Sequence, residues 1–235
     1  MGALLADPGL LWYVSRSTGV VCLVLLTATT ALGLASSGRV RTPWPRFVTQ
    51  SLHRTLSLLA VLLLAGHITA VVIDGTAAIR LVDAFVPFIG TYRPLWLGLG
   101  AIAADLILLV VVTSLVRTRL PHALWRGVHL TAYALWPVSM LHALGTGSDP
   151  HRMWFTALAL TCGAVVTGVL LWRLTAATAR PVALRVAGAV MIAAALAGIA
   201  GWAENGPMRP GWSDRAGTAV PAPAPVDPVA VEVGG

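Results

Sequence analysis

The sequence predicts an all-α integral membrane protein, a bundle of six transmembrane helices. Three observations carry that expectation. Of 235 residues, 57% are hydrophobic and only 11% charged, too little polar surface for a soluble domain of this length. The apolar residues fall in long runs, each near the ~20 residues that cross a bilayer as helix. These runs lack the two-residue alternation of a barrel strand, and backbone groups in lipid must be paired internally, which leaves helices.

The spans are expected at 14–35, 47–73, 94–116, 122–144, 153–174 and 183–203. Residues 1–13 lack the charged start of a signal peptide, and no small-residue cleavage pattern follows the first run. That run reads as a retained helix, with Trp12 and Tyr13 at its outer interface. The apolar segment 75–93 is too short to span and is interrupted by Pro87, so it is expected to lie on the outer surface. Residues 204–235, rich in Pro, Ala and Val, read as a disordered tail. The organisation expected is an outer segment 1–13, a five-helix core 14–174, an additional helix within 175–203 and the tail 204–235.

The net charge of +7 invites a nucleic-acid reading, but its distribution argues otherwise. All sixteen basic residues are Arg. Ten lie in three segments without acids: Arg39, Arg41, Arg46 and Arg54; Arg117, Arg119 and Arg126; Arg173, Arg180 and Arg185. The other six share the remaining segments with eight acids. Arg-rich short loops stay in the cytoplasm, which predicts a plasma-membrane protein with both termini extracytoplasmic and no nucleic-acid partner. Cys22 and Cys162 fall within predicted helices, and no CxxC or CxxCH exists, which excludes covalent c-type haem attachment.

Four of the six histidines lie at membrane depth, where polar groups are functional candidates by default. His53 and His67 are on the second predicted helix, His129 and His142 on the fourth. A lone His on an apolar face is usually a packing residue, but two matched pairs are a different pattern. Spacings of fourteen and thirteen residues rise about 21 and 20 Å along a helix. The second and fourth helices run in the same direction, so His53 shares a depth with His129, and His67 with His142. Imidazole is an axial ligand of haem iron, and a bis-His site leaves no open position for substrate, an electron-transfer arrangement. The expected bundle therefore stacks two haems between helices two and four. One feature resists: His53 and His67 are ~40° apart around an ideal helix, but His129 and His142 are ~140° apart. A kink or local rewinding is expected at Pro137, between them.

At these residues the chain resembles a known family. His53-Arg54-x-Leu56-x-Leu58 with His67 is similar to the first haem helix of the ferric reductase-like transmembrane family. Trp125-Arg126-x-x-His129-x-x-x-Tyr133, then Trp136 and His142-x-x-Gly145-Thr146-Gly147, is similar to the second. NADPH oxidases, ferric reductases and the haem subunit of bacterial methionine-sulfoxide reductase systems belong to it. The resemblance spans about 10–175 and implies two haems b, the inner on His53 and His129, the outer on His67 and His142. Oxidases of the family continue into a flavin and nicotinamide domain, whereas here a sixth helix follows, so the chain is expected to be an oxidoreductase component lacking its own flavin/NAD(P)H domain. Gly98-Leu99-Gly100 followed by Ala103 echoes a dinucleotide fingerprint but lies inside an apolar helix with no preceding strand, and is set aside.

Further polar and aromatic residues lie near these histidines or at membrane depth. Arg54 and Arg126 lie next to or near the inner ligands, where haem propionates need cations; snorkelling to the interface explains them equally. Arg93 is a candidate for the same work at the outer haem. Trp136, between the two depths, is a candidate cofactor contact or a packing side chain. Asp105, the only intramembrane acid, is expected to be protonated or bonded to a neighbouring hydroxyl or Arg. His122 reads as a helix-start residue and His151 as interfacial. Ala189, Ala193, Ala197 and Gly201 form a small-residue stripe that reads as close helix packing.

The function expected is a di-haem b conduit, fed by a cytosolic flavoprotein or a membrane quinol and delivering electrons to an extracytoplasmic redox partner or small acceptor. Flavin or quinone are the further cofactors considered. Two rivals stand beside it: a quinone-linked cytochrome b, and a non-redox transporter or assembly subunit.

Overall fold

Helix is the only regular structure among the residues described by a computed structural model, 8–36, 45–74, 77–147, 149–176 and 181–212. The α-helices are α1 Pro8–Ser36, α2 Arg46–Asp74, α3 Pro94–Leu115, α4 His122–Leu130, α5 Ala132–Thr146, α6 Met153–Ala176 and α7 Val182–Asn205. Single 3-10 turns form at Leu81–Ala84 and Arg117–Arg119. Five helices, α1, α2, α3, α6 and α7, are long and apolar enough to cross a membrane. Their outward faces leave Leu62, Leu108, Leu160 and Val190 exposed, an arrangement suited to lipid, which is as apolar as these side chains. The chain is a multi-pass membrane protein.

Three helices supply a buried apolar cluster: Leu23 and Leu34 of α1, Trp136, Met140 and Leu144 of α5, and Phe155, Cys162 and Val166 of α6. The short α5 is thus the centre of the bundle. α2 runs antiparallel along α1, because His67, late in α2, meets Ser15, and His53, early in α2, meets Thr29. α3 runs antiparallel to α5 in the same sense, with Trp96 meeting His142.

The predicted fourth helix departs from a straight rod. It is two pieces, α4 and α5, divided at Thr131. There the ladder tightens to three-residue spacing: the Thr131 N–H donates to the Val128 carbonyl at 3.0 Å and the Ala134 N–H to the Thr131 carbonyl at 2.9 Å. Pro137 itself sits inside α5, so the distortion expected at Pro137 lies about a turn and a half before it. Proline has no N–H for the carbonyl of Tyr133 and crowds that carbonyl with its ring, which moves the disturbance into the preceding turn. Three-residue spacing turns the chain by ~120° per residue rather than ~100°. That overwinding brings His129 and His142 towards a common face.

α7 is peripheral, with Ala203 its only buried residue. Both its ends are tied to the core. Arg185 donates from Nε to the Leu174 carbonyl (2.9 Å) and from Nη2 to the Thr175 carbonyl (3.1 Å), satisfying the last carbonyls of α6. At the other end Trp202 packs on Trp96 with ring centroids 4.8 Å apart, and Trp212 joins them at 5.8 Å from Trp96. The Trp212 indole N–H donates to the Gly145 carbonyl at 3.0 Å. The expected disordered tail therefore starts too early at 204: Glu204 and Asn205 end α7, and 206–212 form turns against the core. Residues 213–235, and the expected outer residues 1–7, lie outside the described residues, as do Arg39, Arg41 and Arg180.

The segment before α3 is held by a local ion pair. Asp83 accepts from the Arg80 backbone N–H (2.9 Å) and from its guanidinium at Nη2 (2.8 Å), and its own side chain is buried. Those bonds hold the Asp83 carboxyl below the usual carboxylate range. Phe88, at a left-handed φ of 68°, lies directly on Gly98 of α3, where any Cβ would collide with it.

Candidate functional site

Three of the four membrane-depth histidines are held in one and the same way. His53 Nδ1 donates to the Thr29 carbonyl at 3.1 Å, His67 Nδ1 to the Ser15 carbonyl at 2.7 Å, and His142 Nδ1 to the Trp96 carbonyl at 2.8 Å. All three acceptors are carbonyls of a neighbouring helix. The Thr146 hydroxyl lies 3.2 Å from the same nitrogen of His142. A ring whose Nδ1 carries the proton has its lone pair on Nε2, which is the nitrogen free to bind a metal.

The fourth, His129, is different. Its ring stacks on Trp125, centroids 5.2 Å apart at 22°, and its Nδ1 is buried without a hydrogen-bond partner among the described residues. It faces His53 with ring centroids 6.3 Å apart at 67°. Beside it, a cleft of about 320 Å³ is lined by Arg117, Thr118, Leu120, His122 and Trp125. His122 lies 5.8 Å from Trp125, and the Trp125 indole N–H is likewise unpartnered among the described residues.

His67 and His142 gather at the opposite end. Ser15, which receives His67, precedes Arg16, and Arg16 forms an ion pair with buried Asp149 in the turn just after α5. Arg152 adds its Nε at 3.4 Å from the same carboxylate, and the Arg16 guanidinium lies 3.8 Å over the Trp12 ring. At this end Arg93 donates from Nη1 to the carbonyls of Gly145 (3.1 Å) and Thr146 (2.9 Å), at the C-terminus of α5. The four predicted ligands thus fall into two groups at two ends of the bundle.

The predicted cofactor contacts fare unequally. Arg54 and Arg126 are exposed, near His53 and His129 respectively. Arg93 is buried, and its guanidinium is committed to the end of α5 in a backbone of φ 39°. Trp136 is buried in the core and donates its indole N–H to Thr27 Oγ1 at 2.9 Å. Asp105 is half-buried on α3, with no hydrogen-bond partner among the described residues. His122 and His151 are exposed. Sequence reasoning missed Ser15, Thr29 and Trp96, whose carbonyls orient the rings, and the glycines beside them. A signal was present: Gly19 and Gly33 are fourteen residues apart on the first helix, the same separation as His53 and His67 on the second.

Compared with known families, the chain matches the ferric reductase like transmembrane component over residues 18–140. The chain belongs to that family. The matched region holds His53, His67 and His129 and ends two residues before His142; α6 and α7 lie beyond it. No curated protein and no solved structure matches the chain. Membership identifies a transmembrane electron-transfer component of the ferric reductase-like kind.

Proposed function

We propose that this protein carries electrons through the membrane on two b-type haems, one held by His53 and His129, the other by His67 and His142. The observation that carries the reading is the orientation of the rings: in three of the four, Nδ1 is occupied by a backbone carbonyl and Nε2 is left as the metal-binding nitrogen. Spacing supports it at the other ring. His53 and His129 face each other with ring centroids 6.3 Å apart, close enough that both would hold one haem iron. Among the described residues no three His, Cys, Asp or Glu converge as a metal cluster. A pair of imidazoles is an incomplete site for a bare ion, whereas the same pair would hold an iron whose other ligands come from a porphyrin. Bound there, haem supplies one-electron chemistry with no position open to substrate.

The chain's own residues do the rest. Arg54 and Arg126 offer guanidinium groups to propionates at the His53/His129 end. Trp136, hydrogen-bonded to Thr27 and packed among Leu23, Met140 and Leu144, keeps the interval between the two ends apolar and closed to water. Arg93 braces the C-terminus of α5, so His142 is presented from a fixed helix end. The α4–α5 pair makes the sixth crossing. By the Arg distribution the His53/His129 end faces the cytoplasm and the His67/His142 end faces outside, which puts both termini outside the plasma membrane. The donor, a flavoprotein or a membrane quinol, engages the cleft beside Trp125, whose ring stacks on His129. The acceptor is an extracytoplasmic redox partner.

The test is a pyridine haemochrome assay on the purified chain with a dithionite difference spectrum. The result expected is about two non-covalent haems b per chain, both low-spin. A colourless protein, or one with covalently attached haem, contradicts the proposal.

A further inference from the structure

Each histidine that donates to a helix carbonyl does so beside a glycine, always four residues after the acceptor. Ser15 is followed by Gly19, Thr29 by Gly33 and Trp96 by Gly100. A Cβ built on Gly19 would come within 3.0 Å of the His67 ring, on Gly33 within 3.4 Å of the His53 ring, and on Gly100 within 2.5 Å of the His142 ring. The reason is helical geometry. The Cβ substituent of residue i+4 overhangs the carbonyl of residue i, which is why helical Ser and Thr hydroxyls reach back to it. Thr27 does so here, donating to the Leu23 carbonyl at 2.8 Å. Where residue i+4 is glycine, that space is vacant and a ring from a neighbouring helix can enter. The fourth histidine has no such device: Gly127, two residues from His129, has nothing within 4 Å of its would-be Cβ.

We propose that Gly19, Gly33 and Gly100 are positioning residues for the metal ligands. Each clears the space over one helix carbonyl so that an imidazole docks there by Nδ1–H and turns Nε2 into the bundle. Docking itself follows from the packing of the rings; the identity of the iron group that uses Nε2 rests on the proposed function above. Clearance orders the three. Gly100 admits no side chain unless the His142 ring is displaced, Gly19 admits one only if His67 shifts by a few tenths of an ångström, and Gly33 stands at the near limit of ordinary contact. The His67/His142 centre therefore depends on two glycine docks, and the His53/His129 centre on one tolerant dock.

The experiment uses the full chain in one detergent, with Gly100→Ala, Gly19→Ala and Gly33→Ala compared to Gly66→Ala and Gly163→Ala, whose added Cβ atoms would meet nothing within 4 Å. Haem per chain, the low-spin EPR lines and Tm are measured. Gly100→Ala is expected to remove one low-spin signal, taking haem from about two per chain to about one. Gly19→Ala is expected to shift that same signal, and Gly33→Ala and both controls to leave the spectrum unchanged. Because Gly100→Ala can also disturb folding, its effect on Tm is measured again in the His142→Ala background. If the alanine acts through the ring, the Tm loss vanishes there. An unshifted pair of low-spin signals in Gly100→Ala, or an equal Tm loss with and without His142, overturns the proposal. A wild-type chain without haem contradicts the proposed function instead, and the Tm cycle still decides the docking.

Discussion

A histidine buried among apolar helices must satisfy one ring nitrogen before it can offer the other. His53, His67 and His142 do so on helix carbonyls, which fixes the tautomer and the ring plane together, at the cost of a glycine in each neighbouring helix. Outside the membrane-spanning segments, Asp83 shows the same economy in charged form. Its carboxylate closes the 3-10 turn by binding both the backbone N–H and the guanidinium of Arg80. Hydrogen bonds from Arg80 lower the Asp83 pKa in the folded chain below its unfolded value. The stability it contributes is then fully present above the unfolded carboxylate pKa and is lost as pH falls through the lowered folded one. Amide exchange across residues 80–86 should accelerate below the usual carboxylate range, and Asp83→Asn should raise it roughly threefold to tenfold at neutral pH. Exchange in Asp83→Asn equal to wild type at neutral pH would remove the carboxylate from this role.

At the scale of elements, the broken α4–α5 rod does what a straight helix could not. Thirteen residues of ideal helix aim His129 and His142 ~140° apart; the tightened turn at Thr131 reduces that divergence. Pro137→Ala restores the N–H that the Tyr133 carbonyl lacks and so favours a continuous α-helical ladder. The variant is expected to be at least as stable as wild type while losing about one of the two haems, because the rings diverge. Stability and full haem content together would show that the break does not aim the histidines. Length and composition make five of the six expected spans legible, since α1, α2, α3, α6 and α7 are long and apolar enough to cross a membrane, whereas the fourth is divided at Thr131. Spacing also singles out the four histidines, of which His53 and His129 face each other with ring centroids 6.3 Å apart. Proline marks the missing N–H and so points to Pro137, whereas the backbone takes up the disturbance on the carbonyl side, about a turn and a half earlier at Thr131. Composition carries no record of Trp212 reaching back to Trp96 and the Gly145 carbonyl, so 206–212 read as tail although they lie against the core. The glycines were not legible as ligand supports because a glycine in an apolar helix reads as a packing contact until the ring that fills it is known.

Over the whole molecule, α1 and α3 act as the backboards for the rings, and α2 and the α4–α5 rod deliver them. α6 completes the core, and α7 is fastened outside it by Arg185 at one end and by the tryptophan cluster at the other. The family match stops before these last two helices. That the histidines work in two pairs across helices is tested by four single His→Ala variants. Removing one axial ligand opens a coordination site, so each variant should lose one low-spin EPR signal or gain a high-spin one while the other haem persists. His53→Ala and His129→Ala should affect one and the same signal, His67→Ala and His142→Ala the other, and a double variant within a pair should be little worse than either single. If His53→Ala and His142→Ala removed the same signal, the pairing across α2 and the α4–α5 rod would be wrong.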